Sequence, residues 1–151
     1  MSRREAEVSR KRIEELTGQS ASLALAPDGR TLAVGGRDGS VRLRNLSSGR
    51  TVRVLSGNGG TISGLAYLPD GRLLASASWD GSLQLWEVGT GRVLSQMRGQ
   101  GDAVIGLKFA ADGRLLYSRS VDATIREWNV QSGEVRNHYC PAKFRAVGLT
   151  Y

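Results

Sequence analysis

Apolar and polar positions alternate in short runs along most of this chain, and the runs come in groups of four. In residues 57–98 they read ISGLAYL, RLLASAS, SLQLWEV and RVLSQM, separated by PDG, WDG and GTG. Leu83 and Leu85 alternate with Gln84 and Trp86, a period of two that predicts a strand rather than a helix. Asp-Gly between such runs predicts a tight hairpin, because glycine accepts the positive φ that the turn demands. Four strands joined by short turns make an antiparallel meander.

The group recurs. Residues 18–56 carry SASLALA, RTLAVGG, SVRLRNL and RTVRVL, and residues 99–140 carry VIGLKFA, RLLYSRS, TIREWNV and EVRNHY. Asp28-Gly29, Asp70-Gly71 and Asp112-Gly113 stand 42 residues apart. A fixed period of roughly 20–50 residues marks a repeat architecture, in which each unit buries its apolar faces only against its neighbours. AVGLTY at 146–151 keeps the register, since Gly148, Leu149 and Tyr151 fall 42 residues after Gly106, Leu107 and Phe109. The repeat region therefore runs from 18 to 151, with full units at 18–56, 57–98 and 99–140 and the first strand of a fourth at 146–151. Ahead of it, in residues 1–17, Ala6, Ile13 and Leu16 form a thin apolar stripe and Glu7 with Lys11 makes a favourable i,i+4 pair. That pattern predicts a short exposed helix.

The recurring turn, the LLASxSxDGxxxLW core and the following TG resemble the WD-repeat family of β-propellers, over residues 20–151. The resemblance implies an all-β fold of four-stranded blades set radially around a channel, with the first strand of each innermost. Family blades commonly join a histidine before the first strand, a Ser/Thr in the second, an aspartate in the second turn and a tryptophan in the third. On that mapping the second unit offers Ser76, Asp80 and Trp86, with Asn58 in the histidine slot. The third offers Ser118, Asp122 and Trp128, with Gln100 in that slot. Side-chain amides both donate and accept, so they are compatible with a polar network. The Trp-Asp dipeptide itself is absent, because Trp86 precedes Glu87 and Trp128 precedes Asn129. The first unit departs further: Asp38 is kept, but Val34 replaces the serine and Arg44 the tryptophan. An arginine in that place needs a paired charge or water. Terminal repeats commonly carry a polar outer face, so the first unit reads as an edge, with Arg42 and Arg44 turned toward solvent or a partner.

Composition narrows the function. The chain has 151 residues, 40% of them hydrophobic, as expected of a globular array rather than a disordered chain. No apolar run approaches the ~20 residues of a membrane span, and the N-terminus lacks the apolar core of a secretory signal. A single cysteine, Cys140, excludes an internal disulfide and suits a reducing compartment, so a cytoplasmic setting is expected. The net charge of +7 is uneven: residues 18–56 hold six arginines against two aspartates, whereas 57–98 and 99–140 are balanced. The basic excess of the first unit makes an anionic or nucleic-acid partner the alternative reading.

Signals for catalysis are few. His138 is the only histidine, so no histidine cluster can hold a metal. No Gly-x-Ser-x-Gly surrounds a serine. The glycine-rich strings SGNGGTISG and RGQGDAVIG lack the Gly-Lys-Ser/Thr of a phosphate loop. No enzyme, cofactor or metal is expected. For binding, Arg37, Trp79 and Val121 directly precede the aspartate of the second turn. The resemblance implies that these side chains lie on one rim, where relatives touch partners, and tryptophan is enriched among binding hot spots. Propellers typically close with about 4–8 blades, more than are counted here. The expectation is a non-catalytic scaffold for protein partners, completed as part of a larger propeller, by pairing with itself, or by a complementing subunit.

Overall fold

A computed structural model describes residues 22–56, 60–97 and 102–139. The N-terminal segment, the 146–151 strand, Asn58 and Gln100 lie outside the described residues. The described residues form twelve strands in three four-stranded antiparallel sheets, with no helix among them. The first blade is β1 (Ser22–Leu25), β2 (Thr31–Gly35), β3 (Ser40–Asn45) and β4 (Thr51–Ser56). The second is β5 (Ile62–Tyr67), β6 (Leu73–Ser78), β7 (Leu83–Glu87) and β8 (Arg92–Met97). The third is β9 (Val104–Phe109), β10 (Leu115–Ser120), β11 (Ile125–Asn129) and β12 (Val135–Tyr139). Strand order in each sheet follows the chain. The first strands converge, β1 toward β5 and β5 toward β9, which sets the blades radially with the fourth strands outermost.

The turns repeat as closely as the strands. In the first hairpin, Asp28, Asp70 and Asp112 each accept from the backbone N–H two residues on, at 2.9, 3.0 and 3.0 Å. In the second, Asp38, Asp80 and Asp122 accept from both the N–H and the hydroxyl of Ser40, Ser82 and Thr124. These Asx turns lock the chain reversal locally. Gly39 and Gly81 take positive φ in this turn, and the third blade puts Ala123 there instead, at φ 68°. An L-residue pays a steric penalty in that region. A register shift recurs between the third and fourth strands, at Leu43/Arg44, Leu85/Trp86 and Glu127/Trp128, so each blade is bent at the same place.

Packing between blades makes the core. Trp86 shares one buried cluster with Ala33, Val41, Leu43 and Leu55 of the first blade. Trp128 shares another with Ala75, Leu83, Leu85 and Met97 of the second. Each indole is almost fully buried and donates Nε1–H to a serine of its own blade, Trp86 to Ser76 at 2.9 Å and Trp128 to Ser118 at 2.8 Å. Burying about 200 Å² of aromatic surface stabilises by roughly 5 kcal/mol as an upper figure. One hydrogen bond adds only about 1 kcal/mol, so packing supplies the energy and the serine fixes the ring's orientation. The small residues opposite are part of the fit: a Cβ on Gly35 would stand 2.5 Å from Ile62 Cγ2, so β2 and β5 meet that closely only around glycine.

Three stability outcomes follow from this packing and from the turn geometry. Trp128→Ala lowers unfolding free energy by about 3–5 kcal/mol, whereas Ser118→Ala, which leaves the buried indole N–H without its acceptor, costs about 1–3 kcal/mol, both read from urea denaturation. Ala123→Gly raises it by about 1 kcal/mol by removing the left-handed strain.

Candidate functional site

The second hairpin of each blade forms one rim. Trp79 N–H donates to Thr61 O at 3.0 Å, Thr61 Oγ1 donates to Arg37 O at 3.3 Å, and Val121 N–H donates to Ala103 O at 3.0 Å. The backbone of the rim is therefore held while the Trp79 and Val121 side chains stay exposed. Trp79 is 62% exposed and Val121 53% exposed, and Arg37 is exposed beside them. An apolar ring this open on an ordered turn is unusual for a residue that contributes only to packing.

Among the described residues, the first and third blades each turn one face away from the other blades. On the first blade, cross-strand pairing puts Leu23 beside Val34, Leu25 beside Leu32, Arg42 beside Val34 and Arg44 beside Leu32. Leu23 and Leu25 are exposed on it. Arg42 is half-exposed, 3.7 Å from Asp38 and donating to Ser40 Oγ at 2.9 Å. Arg44 is half-buried, and its Nε is shielded from solvent without a hydrogen-bond partner. Arg53 turns the other way and donates to Thr90 O and Gly89 O of the second blade at 2.8 and 3.1 Å. Arg42 and Arg53 thus already hold partners within the chain.

On the third blade the outward face is polar. Tyr117 pairs across the ladder with Glu127, and Glu127 with Asn137. The Glu127 carboxylate is buried and accepts from Asn137 Nδ2 at 2.9 Å, Tyr139 OH at 3.1 Å and Tyr117 OH at 3.4 Å. The Asn137 amide holds the Glu127 pKa below the ordinary 4.5 against the opposing effect of burial, with the two hydroxyls assisting. The same contacts push both phenols upward, burial leading for Tyr117 and the Glu127 bond leading for Tyr139. No motif in the sequence marks this group, because its members come from three strands and meet only through ladder pairing.

The network residues are placed as follows. Ser76 with Trp86 and Ser118 with Trp128 form buried pairs. Asp80 and Asp122 lie in their turns, where each also has a backbone N–H bonded to a serine hydroxyl, Ser78 and Ser120. The Asp122 pKa is held below the ordinary carboxylate value, first by the Thr124 hydroxyl. Between the first hairpins of blades one and two lies a cavity of about 150 Å³ lined by Asp28, Thr31, Tyr67 and Asp70. The Tyr67 hydroxyl is buried without a partner, and burial, with Asp28, pushes its pKa up to about 12, so it is a protonated phenol rather than a base. Among the described residues no three metal-ligating side chains stand together.

A depressed folded-state pKa stabilises the fold at pH values above the unfolded value, and that contribution is lost as pH falls through the folded value. For Glu127 the stability loss on acidification starts below pH 4.5. Glu127→Gln flattens this part of the acid limb in urea midpoints measured across pH.

Comparisons with known proteins agree with this architecture. The family model of the WD domain, G-beta repeat, matches residues 10–45, 49–87 and 91–129. Its second unit spans β4 of the first blade and β5–β7 of the second, so the sequence unit is offset by one strand from the structural blade. No curated protein matches the sequence. Among the many solved structures similar to it is one described as "Structure of U3-55K", with a TM-score of 0.77 at 26% identity over 81% of this chain. The matched part is 39% of that protein's chain. With three WD units in register over most of its length and three radial four-stranded blades, this chain belongs to the WD-repeat family of β-propeller proteins.

Proposed function

We propose that this chain is a non-catalytic cytoplasmic scaffold, a portion of a larger propeller, that binds protein partners through the rim carrying Arg37, Trp79 and Val121. The exposure of Trp79 carries the reading. The indole is 62% exposed, on a hairpin whose backbone is fixed by Thr61 and by the Asp80–Ser82 turn. A rigid aromatic with little ordering entropy left to lose is what a binding hot spot requires. WD-repeat propellers generally serve as interaction scaffolds, and no nucleophile–base pair is supplied by the sequence around His138.

The alternative, an anion or nucleic-acid site on the arginine-rich first blade, is less well supported. Arg42 is neutralised by Asp38 and Arg53 is spent on the neighbouring blade's carbonyls.

The test compares the immobilised chain with its Trp79→Ala variant. Quantitative recovery of captured proteins falls with the variant, while its unfolding free energy stays within about 0.5 kcal/mol of the parent, as for other exposed positions. Equal recovery by both chains rejects the rim. A binding constant for single-stranded or duplex nucleic acid that falls steeply with salt supports the alternative instead.

A further inference from the structure

We infer that the cavity between the first hairpins of the first and second blades is a binding site for a guanidinium group, held between the Asp28 carboxylate and Tyr67. The chain supplies its own control, because the same place recurs at the next junction between blades. Leu68, Leu73 and Phe109 stand 42 residues after Ala26, Thr31 and Tyr67. At that second junction Leu68 and Phe109 are buried in one apolar cluster, with Leu73 and Val130 packed against it. A Cβ on Gly113 would stand 2.7 Å from Leu68 Cδ1, so the leucine fills the place up to the turn glycine. At the first junction Ala26 and Thr31 are smaller than those leucines, and a Cβ on Gly71 meets nothing closer than Pro27 Cδ at 3.5 Å. A cavity of about 150 Å³ is left. The turn aspartates, the turn glycine and the valine at the end of the third strand are the same at both junctions. The difference is confined to side chains that line this space.

The difference is one of chemistry as well as volume. Where the second junction has Leu, Leu and Phe, the first has a methyl, a hydroxyl and a phenol. A packing defect alone would leave apolar walls. Here Tyr67, in the wall, has a hydroxyl buried without a partner, a cost that its phenylalanine counterpart does not bear. Burial keeps that phenol protonated, so it can donate or accept but carries no charge. Asp28 supplies the charge. Among the described residues its carboxylate accepts only from the Arg30 N–H, through Oδ1, which leaves Oδ2 open. Asp70, also in the wall, is already engaged by the Arg72 backbone N–H and Nε at 3.0 and 2.6 Å. No cationic side chain lines the cavity. A group that enters it is favoured by bringing both donors and positive charge. Guanidinium offers five N–H donors in a planar fork. It also stacks on aromatic rings and is more weakly hydrated than ammonium, so walls such as Pro27 and Val88 impose a smaller desolvation penalty on it. A volume of about 150 Å³ holds a benzene-sized group, the scale of a guanidinium on a short alkyl stem. The first hairpins lie at the opposite end of each second strand from the Trp79 rim, so this site and the rim can fail independently.

The test is a titration of the full chain with n-propylguanidinium chloride at millimolar concentration, followed by NMR at the Thr31 and Gly71 amides. Both amides shift saturably, and N-propylurea, the neutral isostere, leaves them unmoved. Asp28→Asn weakens the binding about 10-fold, the scale of one charge-assisted hydrogen bond. Ala26→Leu installs the residue of the second junction and abolishes the response, with a urea midpoint at or above that of the parent. N-acetylarginine methylamide separates the sources of the ligand. Its binding assigns the site to an arginine side chain of a partner, and its exclusion while propylguanidinium binds assigns it to a free guanidinium compound; both sustain the inference. No saturable shift, an equal response to propylurea, or undiminished binding by Ala26→Leu overturns it. If Ala26→Leu does not fold, Tyr67→Phe replaces it: binding weakened about 10-fold sustains the inference, and unchanged binding rejects it.

Discussion

The seating of an indole from one blade against the aliphatic face of the blade before it is the contact on which the rest of this structure depends. A four-stranded meander has two broad faces and buries neither by itself. Trp86 and Trp128 solve this by projecting from the third strand into the layer formed by Leu43 and Leu55, and by Leu85 and Met97. The recurring bulge just ahead of each indole bends the strand there, and the serine on the adjacent strand fixes the ring. Because each blade depends on its neighbours, an end of the array is never neutral: it must be covered, altered or put to use.

The outward faces of the first and third blades depart from the internal pattern in different ways. The first blade keeps the leucine frame of an internal face but replaces tryptophan with Arg44. The third keeps Ile125 but replaces alanine, leucine and methionine with Tyr117, Glu127 and Tyr139, tied together around one carboxylate. The rim of hairpins and the outward faces of the first and third blades are separate places in the fold. They differ in chemistry, one an exposed aromatic on a braced turn and the other a set of charges held near the boundary of the core.

Much of the fold was legible in the sequence because turn chemistry and strand period repeat in register. The run RVLSQM coincides with β8, Arg92–Met97, and ISGLAYL overlaps β5, Ile62–Tyr67. Within SASLALA lies β1, Ser22–Leu25, and Ala26 follows it into the turn. The Ser76–Trp86 and Ser118–Trp128 relations were reachable through the family pattern, as was the position of Trp79 on a turn. Glu127 was not. In the sequence it is one acid among five balanced by five bases, and its significance arises only when β10, β11 and β12 pair. The unbonded Nε of Arg44 was equally invisible, since linear sequence carries no measure of shielding.

One arrangement described above makes the protein its own optical instrument. The chain holds three tryptophans, and they divide cleanly between two environments: Trp86 and Trp128 sealed between sheets, Trp79 in water. Two emitters therefore sense the integrity of the stack, and one senses what touches the hairpins. A soluble quencher silences the outer fluorophore and leaves the inner pair lit, so occupancy and unfolding can be followed separately in a single unlabelled sample.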